Sequence, residues 1–335
     1  MVLDRCTREY ELVNIQAVPD YSDKGSAKTF GCVDDLVSAI DLCYELNVDI
    51  VSMSAVTSLL SDSRILYEKM KKLSERSVIV AALDNAGYVT VPASYPFVIG
   101  VQNDSENSLS TGKMAYRHDA VFGTDVFANC AFPFLYEQGA GPSNSFAVPV
   151  VTAYINDMLN SGQARPSSVF ECLKGLPEYT KNQEAFARIV EIKEIIDRVS
   201  PRPPVPYVYI QTDNNELCLK LMDWLFDNEE VQSCALVREM DKYDIRLCRR
   251  DTQISLQKQL QYMQWFYKTD IVFVCGNNSF CEAVENVEYS VKLICGSQTV
   301  DMVTEDKNIA VTYDDLPNEL YMTLYVDEEV DDFEN

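Results

Sequence analysis

The chain reads as an α/β protein built in two successive parts. Two observations predict this: strand-like and helix-like segments alternate along both halves, and Val78-Ile79-Val80-Ala81-Ala82 is a continuous apolar run. Alternation of strand and helix favours parallel sheets, and a strand covered on both faces has no polar side to alternate with. A third observation divides the chain. Ser200-Pro201-Arg202-Pro203-Pro204-Val205-Pro206 carries four prolines in seven residues. Proline lacks an N–H and clashes inside a helix, so this stretch predicts a stiff extended linker.

In order, Leu12-Val13-Asn14-Ile15-Gln16-Ala17-Val18 reads as a strand. Asp34 and Asp35 open a helix with Leu36, Ile40 and Cys43 on one face. Asp49–Ser54 predicts a short strand, and a helix follows from about Ser63 with Leu66, Met70 and Leu73 at helical spacing. The Val78–Ala82 run is the next strand. Val150, Val151, Tyr154, Ile155, Met158 and Leu159 mark a buried helix, and helical stretches follow near 168–175 and 182–199. After the linker, Tyr207–Ile210 predicts a strand, and a helix carries Leu217, Leu221, Trp224 and Leu225. Cys234–Val237 and Asp244–Cys248 read as extended. A helix presents Leu256, Leu260, Met263 and Tyr267, and strands are expected at Ile271–Val274, Val291–Cys295 and Ile309–Thr312. Domains are therefore expected at 1–200 and 207–326, separated by a linker at 201–206 and followed by an acidic tail at 327–335.

Composition narrows the function classes. The chain has 335 residues, with 52 acidic against 28 basic and a formal net charge of −24. Phosphate backbones would be repelled, so nucleic acid is not an expected partner. No apolar run of membrane-spanning length occurs, and the first residues lack a secretion signal's basic and apolar regions. A cytoplasmic setting is expected. Eleven cysteines without a Cys-x-x-Cys pair are expected to be reduced and buried, rather than a disulfide framework or a metal site. No cofactor is expected. Gln211–Leu217 occupies the strand-to-helix turn where a nucleotide-binding fold would carry glycines. It has none, and Asp213 and Glu216 would repel phosphate.

Four segments in the first part carry a family resemblance. They are Asp34–Asp41 followed by Val48–Ser54; Val80-Ala81-Ala82-Leu83-Asp84-Asn85-Ala86-Gly87; Pro92–Val101; and Ser143-Asn144-Ser145-Phe146-Ala147-Val148-Pro149. In this order and spacing they resemble the subtilisin-like serine proteases over roughly residues 10–160. The resemblance implies a partial subtilisin-like parallel sheet with helices on both faces. It places Ser145 at the nucleophile, Asn85 at the oxyanion-hole asparagine and Ser52, Met53 and Ser54 on the peptide-binding strand. The part after the linker predicts a smaller Rossmann-like α/β domain.

The chemistry suits those residue types. A nucleophile at the N-terminus of a buried helix gains backbone N–H groups and the helix dipole for the oxyanion, and a side-chain amide adds a second donor. Pro149 is expected in the first turn, where a missing N–H is harmless. The departures are equally informative. The family's aspartate strand and His-Gly-Thr-His helix would precede Leu12–Val18, where about eleven residues stand. Asp84 replaces a glycine, Ser143-Asn144 replace Gly-Thr, and Ala55-Val56-Thr57 replace the glycines that extend the substrate strand. The single histidine, His118, lies between the oxyanion segment and the serine, where a loop position is expected.

A serine without a base is a weak nucleophile. Ser145 and Asn85 are therefore expected to be vestigial, and the chain to bind a peptide or partner protein without cleaving it. The alternative is a serine endopeptidase whose aspartate and histidine come from a second chain. In the family the aspartate strand lies centrally, so its omission leaves either strands closed on each other or a gap that a partner strand fills. A second subunit or an oligomer is an expectation on that ground. The layout, a degenerate subtilase-like part followed by an α/β part, also resembles accessory proteins of bacterial systems that mature ribosomally made peptides.

Overall fold

The computed structural model describes residues 2–17, 32–117, 123–180, 182–200, 205–212, 214–240, 242–277 and 287–326, without the side chains of 182–186. His118, Asp213, the prolines at 201, 203 and 204, and the acidic tail lie outside the described residues. The chain forms two compact units, Met1–Glu194 and Ile195–Asn335. Each has a largely parallel sheet flanked by helices, so the α/β class is the observed one. Among the described residues, no helix is long and apolar enough to cross a membrane.

In the first unit, α1 (Val2–Cys6) leads into a segment without regular structure, and α2 (Val33–Leu46) ends at Asn47, whose φ of 51° is left-handed. Next come β1 (Ile50–Met53), α3 (Ser63–Ser74), β2 (Val78–Ala82), β3 (Ile99–Asn103), β4 (Met114–Tyr116) and β5 (Val126–Ala128). They are followed by α4 (Pro133–Glu137), α5 (Asn144–Asn160), α6 (Val169–Leu173) and α7 (Asn182–Val199), whose last residues, from Ile195 on, belong to the second unit. The sheet order is β1-β2-β3-β5-β4, parallel except for β4. Val78, Val80, Ile99, Val101 and Val126 form one core with Val148, Val151 and Ile155 of α5. That helix lies across β1, β2, β3 and β5.

Two expectations need correction here. The strand expected at Leu12–Val18 does not form over its described part, and Leu12 is 57% exposed. The reason lies just upstream. Asn156 and Asn160 of α5 both donate side-chain N–H bonds to the Glu9 carbonyl, at 3.0 and 2.7 Å, and Thr7 Oγ1 donates to Asp157 at 2.6 Å. These bonds hold the N-terminal segment along the helix, and a strand gains nothing without a ladder partner. Pro149, expected in the first turn of its helix, instead lies in the second, because α5 begins at Asn144. Its missing N–H would have served the Ser145 carbonyl, four residues back. Ser54 Oγ donates to that carbonyl at 3.2 Å in its place.

Two glycines permit a close crossing beside β3. A Cβ on Gly100 would lie 1.6 Å from the Gly123 carbonyl oxygen, and one on Gly123 (φ +84°) would lie 2.4 Å from Ser94 Cα. The crossing is tied by Gly100 N donating to Asp125 Oδ2 at 2.8 Å and Asp125 N donating to Gly100 O at 2.9 Å.

The second unit contains β6 (Tyr207–Gln211), α8 (Asn215–Glu229), β7 (Ser233–Val237), β8 (Leu247–Arg249), α9 (Leu256–Phe266), β9 (Ile271–Gly276), β10 (Val291–Cys295), β11 (Thr299–Val303), β12 (Asn308–Thr312) and α10 (Leu316–Tyr325). Its sheet order is β12-β11-β10-β6-β9-β7-β8. The five strands from β10 to β8 are parallel, and the β11–β12 ribbon is antiparallel. Every residue of β7 and β9 is buried, which accounts for their unbroken apolar character.

Candidate functional site

The carboxyl ends of β1, β2 and β3 and the start of α5 converge through side-chain amides. β2 runs into a tight turn in which Asp84 Oδ2 accepts the Ala86 N–H at 2.6 Å and Gly87 adopts a φ of +79°. The turn projects Asn85 into solvent. Its Oδ1 accepts the N–H of Asn144, the first residue of α5, at 2.9 Å. Asn144 returns the contact. Its buried Nδ2 donates to the carbonyls of Leu83 and Asp84 at 3.0 and 3.1 Å, and its Oδ1 accepts the Asn103 N–H at 2.8 Å. Asn103 Oδ1 in turn accepts from Cys130 Sγ at 3.0 Å. The Cys130 thiol also faces the Ser143 carbonyl at 3.4 Å, and burial raises its pKa.

This network sets the helix tip. The N–H groups of Phe146 and Ala147 both reach the Ser143 carbonyl, and that of Asn144 is taken by Asn85. The Ser145 N–H and the Asn85 Nδ2 have no acceptor among the described residues. Because Asn85 Oδ1 faces a donor, its Nδ2 is the atom turned outward. Two uncommitted donors therefore flank the half-buried Ser145, at the positive end of a 17-residue helix. Such an arrangement can bind a carbonyl oxygen or a developing negative charge.

Ser54 joins this cluster through its bond to the Ser145 carbonyl. Ser52 Oγ lies 3.0 Å from Thr152 Oγ1 of α5. Both serines are exposed, whereas the Met53 side chain is buried, so Met53 offers only its backbone at this surface. β1 is the outermost strand of its sheet and pairs only with β2 among the described residues. No described residue bonds the Ser145 hydroxyl, so nothing described draws off its proton.

Motif order singled out Ser145, Asn85 and the Ser52–Ser54 strand, and the structure brings Asn85 and Ser54 to the helix tip that carries Ser145. Motif order missed Asn144, Asn103 and Cys130. Asn144 registered only as a departure from the family's pattern, although a buried amide at the first residue of a helix must find partners.

In the second unit, Thr212 Oγ1 accepts the Asn214 N–H at 3.1 Å and Asn214 Oδ1 accepts the Glu216 N–H at 2.8 Å. Side chains thus cap α8 at the turn where a phosphate cradle would expose backbone N–H groups. No group of three or more potential metal ligands occurs among the described residues.

No protein-family profile matches the chain, and no curated protein matches it by sequence. Among solved structures, the chain is similar in part to the prenylagaramide maturation protease PagA, with a TM-score of 0.29 and 20% identity. That match covers 44% of this chain and 57% of the protease chain, a little over half of its length.

Proposed function

We propose that the chain is a subtilase-like protein that binds a peptide or partner protein at the tip of α5 without cleaving it. The observation carrying this reading is the pairing of two unused donors, Ser145 N–H and Asn85 Nδ2, with a serine hydroxyl that no described residue deprotonates. Losing triad members in this chemistry lowers turnover by about 10⁴- to 10⁶-fold, whereas a peptide groove can outlast the chemistry. The outer edge of β1, with Ser52 and Ser54, supports strand addition by an extended segment. A role in maturing ribosomally made peptides rests on the two-part layout alone.

A second reading is a serine peptidase completed by another chain. The outer edge of β1, unpaired among the described residues, favours it, since a strand carrying the missing acid could dock there. Fluorophosphonate labelling separates the two. The first reading expects no labelling of Ser145 and peptide binding that survives Ser145→Ala. Stoichiometric labelling abolished by Ser145→Ala, in the chain alone or with a partner from its native host, would establish the second and sink the first.

A further inference from the structure

The outer edge of β1 carries a row of open backbone groups. Val78 N donates to Asp49 O at 2.9 Å, so in this parallel ladder Asp49, Val51 and Met53 turn their backbone groups to β2. The N–H and C=O groups of Ile50 and Ser52 point the other way, and no described residue bonds them. A second open row lies in residues 12–17. Leu12, Val13, Asn14 and Ile15 make no hydrogen bond to any described residue, and the first three are exposed.

One stripe of α5 brings the two rows within reach of each other. Thr152, Asn156 and Asn160 follow at intervals of four and share a face of the helix. Thr152 Oγ1 lies 3.0 Å from Ser52 Oγ of β1. One turn further on, Asn156 Nδ2 donates to Thr7 Oγ1 at 3.1 Å and to Glu9 O at 3.0 Å, and Asn160 Nδ2 adds its bond to Glu9 O. A helical turn is about 5.4 Å and three extended residues span about 10 Å, so the chain leaving Glu9 reaches the β1 edge by Leu12. Direction follows from the same contacts. α5 starts beside Ser54 and passes Ser52 as it runs toward the amino end of β1. A strand that starts from Glu9 and lies along the edge therefore runs parallel to β1.

The connections fit such a strand. β1 leads through α3 to its parallel neighbour β2. α2 packs on α3, and no residue of either joins the core beneath α5, so both helices cover the opposite face of the sheet. A strand at 12–17, followed by α2 and then β1, repeats the β1-α3-β2 unit one step outward with the same hand. The side chains fit as well. Val13, Ile15 and Ala17 alternate with Asn14 and Gln16, which gives one apolar and one polar face. On the α2 side Leu42 and Leu46 stand exposed, and on the α5 side the stripe presents hydroxyl and amide groups.

We infer that residues 12–17 form a strand that docks parallel on the outer edge of β1 and closes that edge to an incoming peptide, the structure holding the undocked arrangement. Docking gains ladder bonds for both rows and breaks no described hydrogen bond of Leu12, Val13, Asn14 or Ile15. A tethered strand competes at an effective concentration on the order of millimolar, so peptides that bind weakly are kept out. The closing of the edge rests on the reading of β1 as a peptide-binding strand, whereas the docked strand stands on the anchor and the connections alone.

The test compares the full chain with Val13→Pro/Asn14→Pro. The two positions are successive, so one of them removes a ladder donor whichever residue faces β1. Both side chains are exposed, and circular dichroism should show the variant folded. Amide-resolved hydrogen exchange without added peptide should be at least tenfold faster at Ser52 in the variant and unchanged at Val80 of β2. A fluorescent peptide of residues 11–17, added in trans, should bind the variant at least tenfold more tightly than the parent. Equal exchange at Ser52 in the two proteins would overturn the docked strand, whether or not the peptide binds. Faster exchange without a gain in peptide affinity would overturn the closing of the edge, and peptide binding to neither protein would count against the peptide-binding reading itself. Protection of Ser52 that grows with protein concentration would place the strand in a second copy and overturn the intramolecular assignment.

Discussion

At Asp125 the surroundings work against the charge. Burial raises the carboxyl pKa from 3.8 to about 6, against the opposing effects of the Gly100 N–H and the Arg117 charge. A folded-state pKa above the unfolded value means that the folded state keeps its proton longer. Stability from this group is therefore fully present below pH 4 and is lost as pH rises through 6. A shift of this size corresponds to about 3 kcal/mol, and residual contact with water trims it to about 2. Asp125→Asn keeps an acceptor for the Gly100 N–H and carries no charge. The variant should be more stable than the parent at pH 7.5, with the difference shrinking to about a third at pH 4.5, as measured by urea midpoints. An equal difference at both pH values would contradict the assignment.

At the scale of the element, α5 contains a defect and its repair. Pro149 deprives the Ser145 carbonyl of its helical donor, and Ser54 on β1 supplies another. Ser54→Ala should then cost about 1 kcal/mol, the usual net worth of such a bond. In a Pro149→Ala background the new alanine restores the N–H, and the same Ser54 change should cost close to nothing. A double-mutant cycle by denaturant unfolding measures the difference directly, and additive effects would show that the two residues are uncoupled.

The elements also show how far the sequence could be read. Val78–Ala82 and Ile271–Val274 were legible because a strand buried on both faces must be apolar throughout. β4 and β5, three residues each, are too short for any period to register. β11 buries Val300 and Met302 between exposed Thr299 and Asp301, an alternation visible in the sequence but hidden by its polar flanks. The stretch expected as a strand at Leu12–Val18 pairs with no strand over its described part, 12–17. At the candidate site, motif order singled out Ser145 and Asn85, which lie together at the tip of α5. Asn144 was illegible, because its partners Leu83, Asp84 and Asn103 lie 41 to 61 residues away and meet only in the folded sheet.

In the whole molecule each unit has its own core, one around α5 and one around β6, β7 and β9. Damage to one should leave the local order of the other. Gly100→Ala places a methyl group where the Gly123 backbone already lies, and should destabilise the first unit by more than about 3 kcal/mol. Hydrogen exchange should quicken at β2 and β3 while the amides of β9 keep their protection. Simultaneous loss at β9 would mean that the two cores unfold as one. Cys130 is fully enclosed beside β5 and the helix tip, whereas Cys32 stands in solvent. An alkylating reagent should therefore modify Cys32 at once and reach Cys130 only when the sheet parts from α5, so that the mass of a single tryptic peptide becomes a clock for the opening of the first unit.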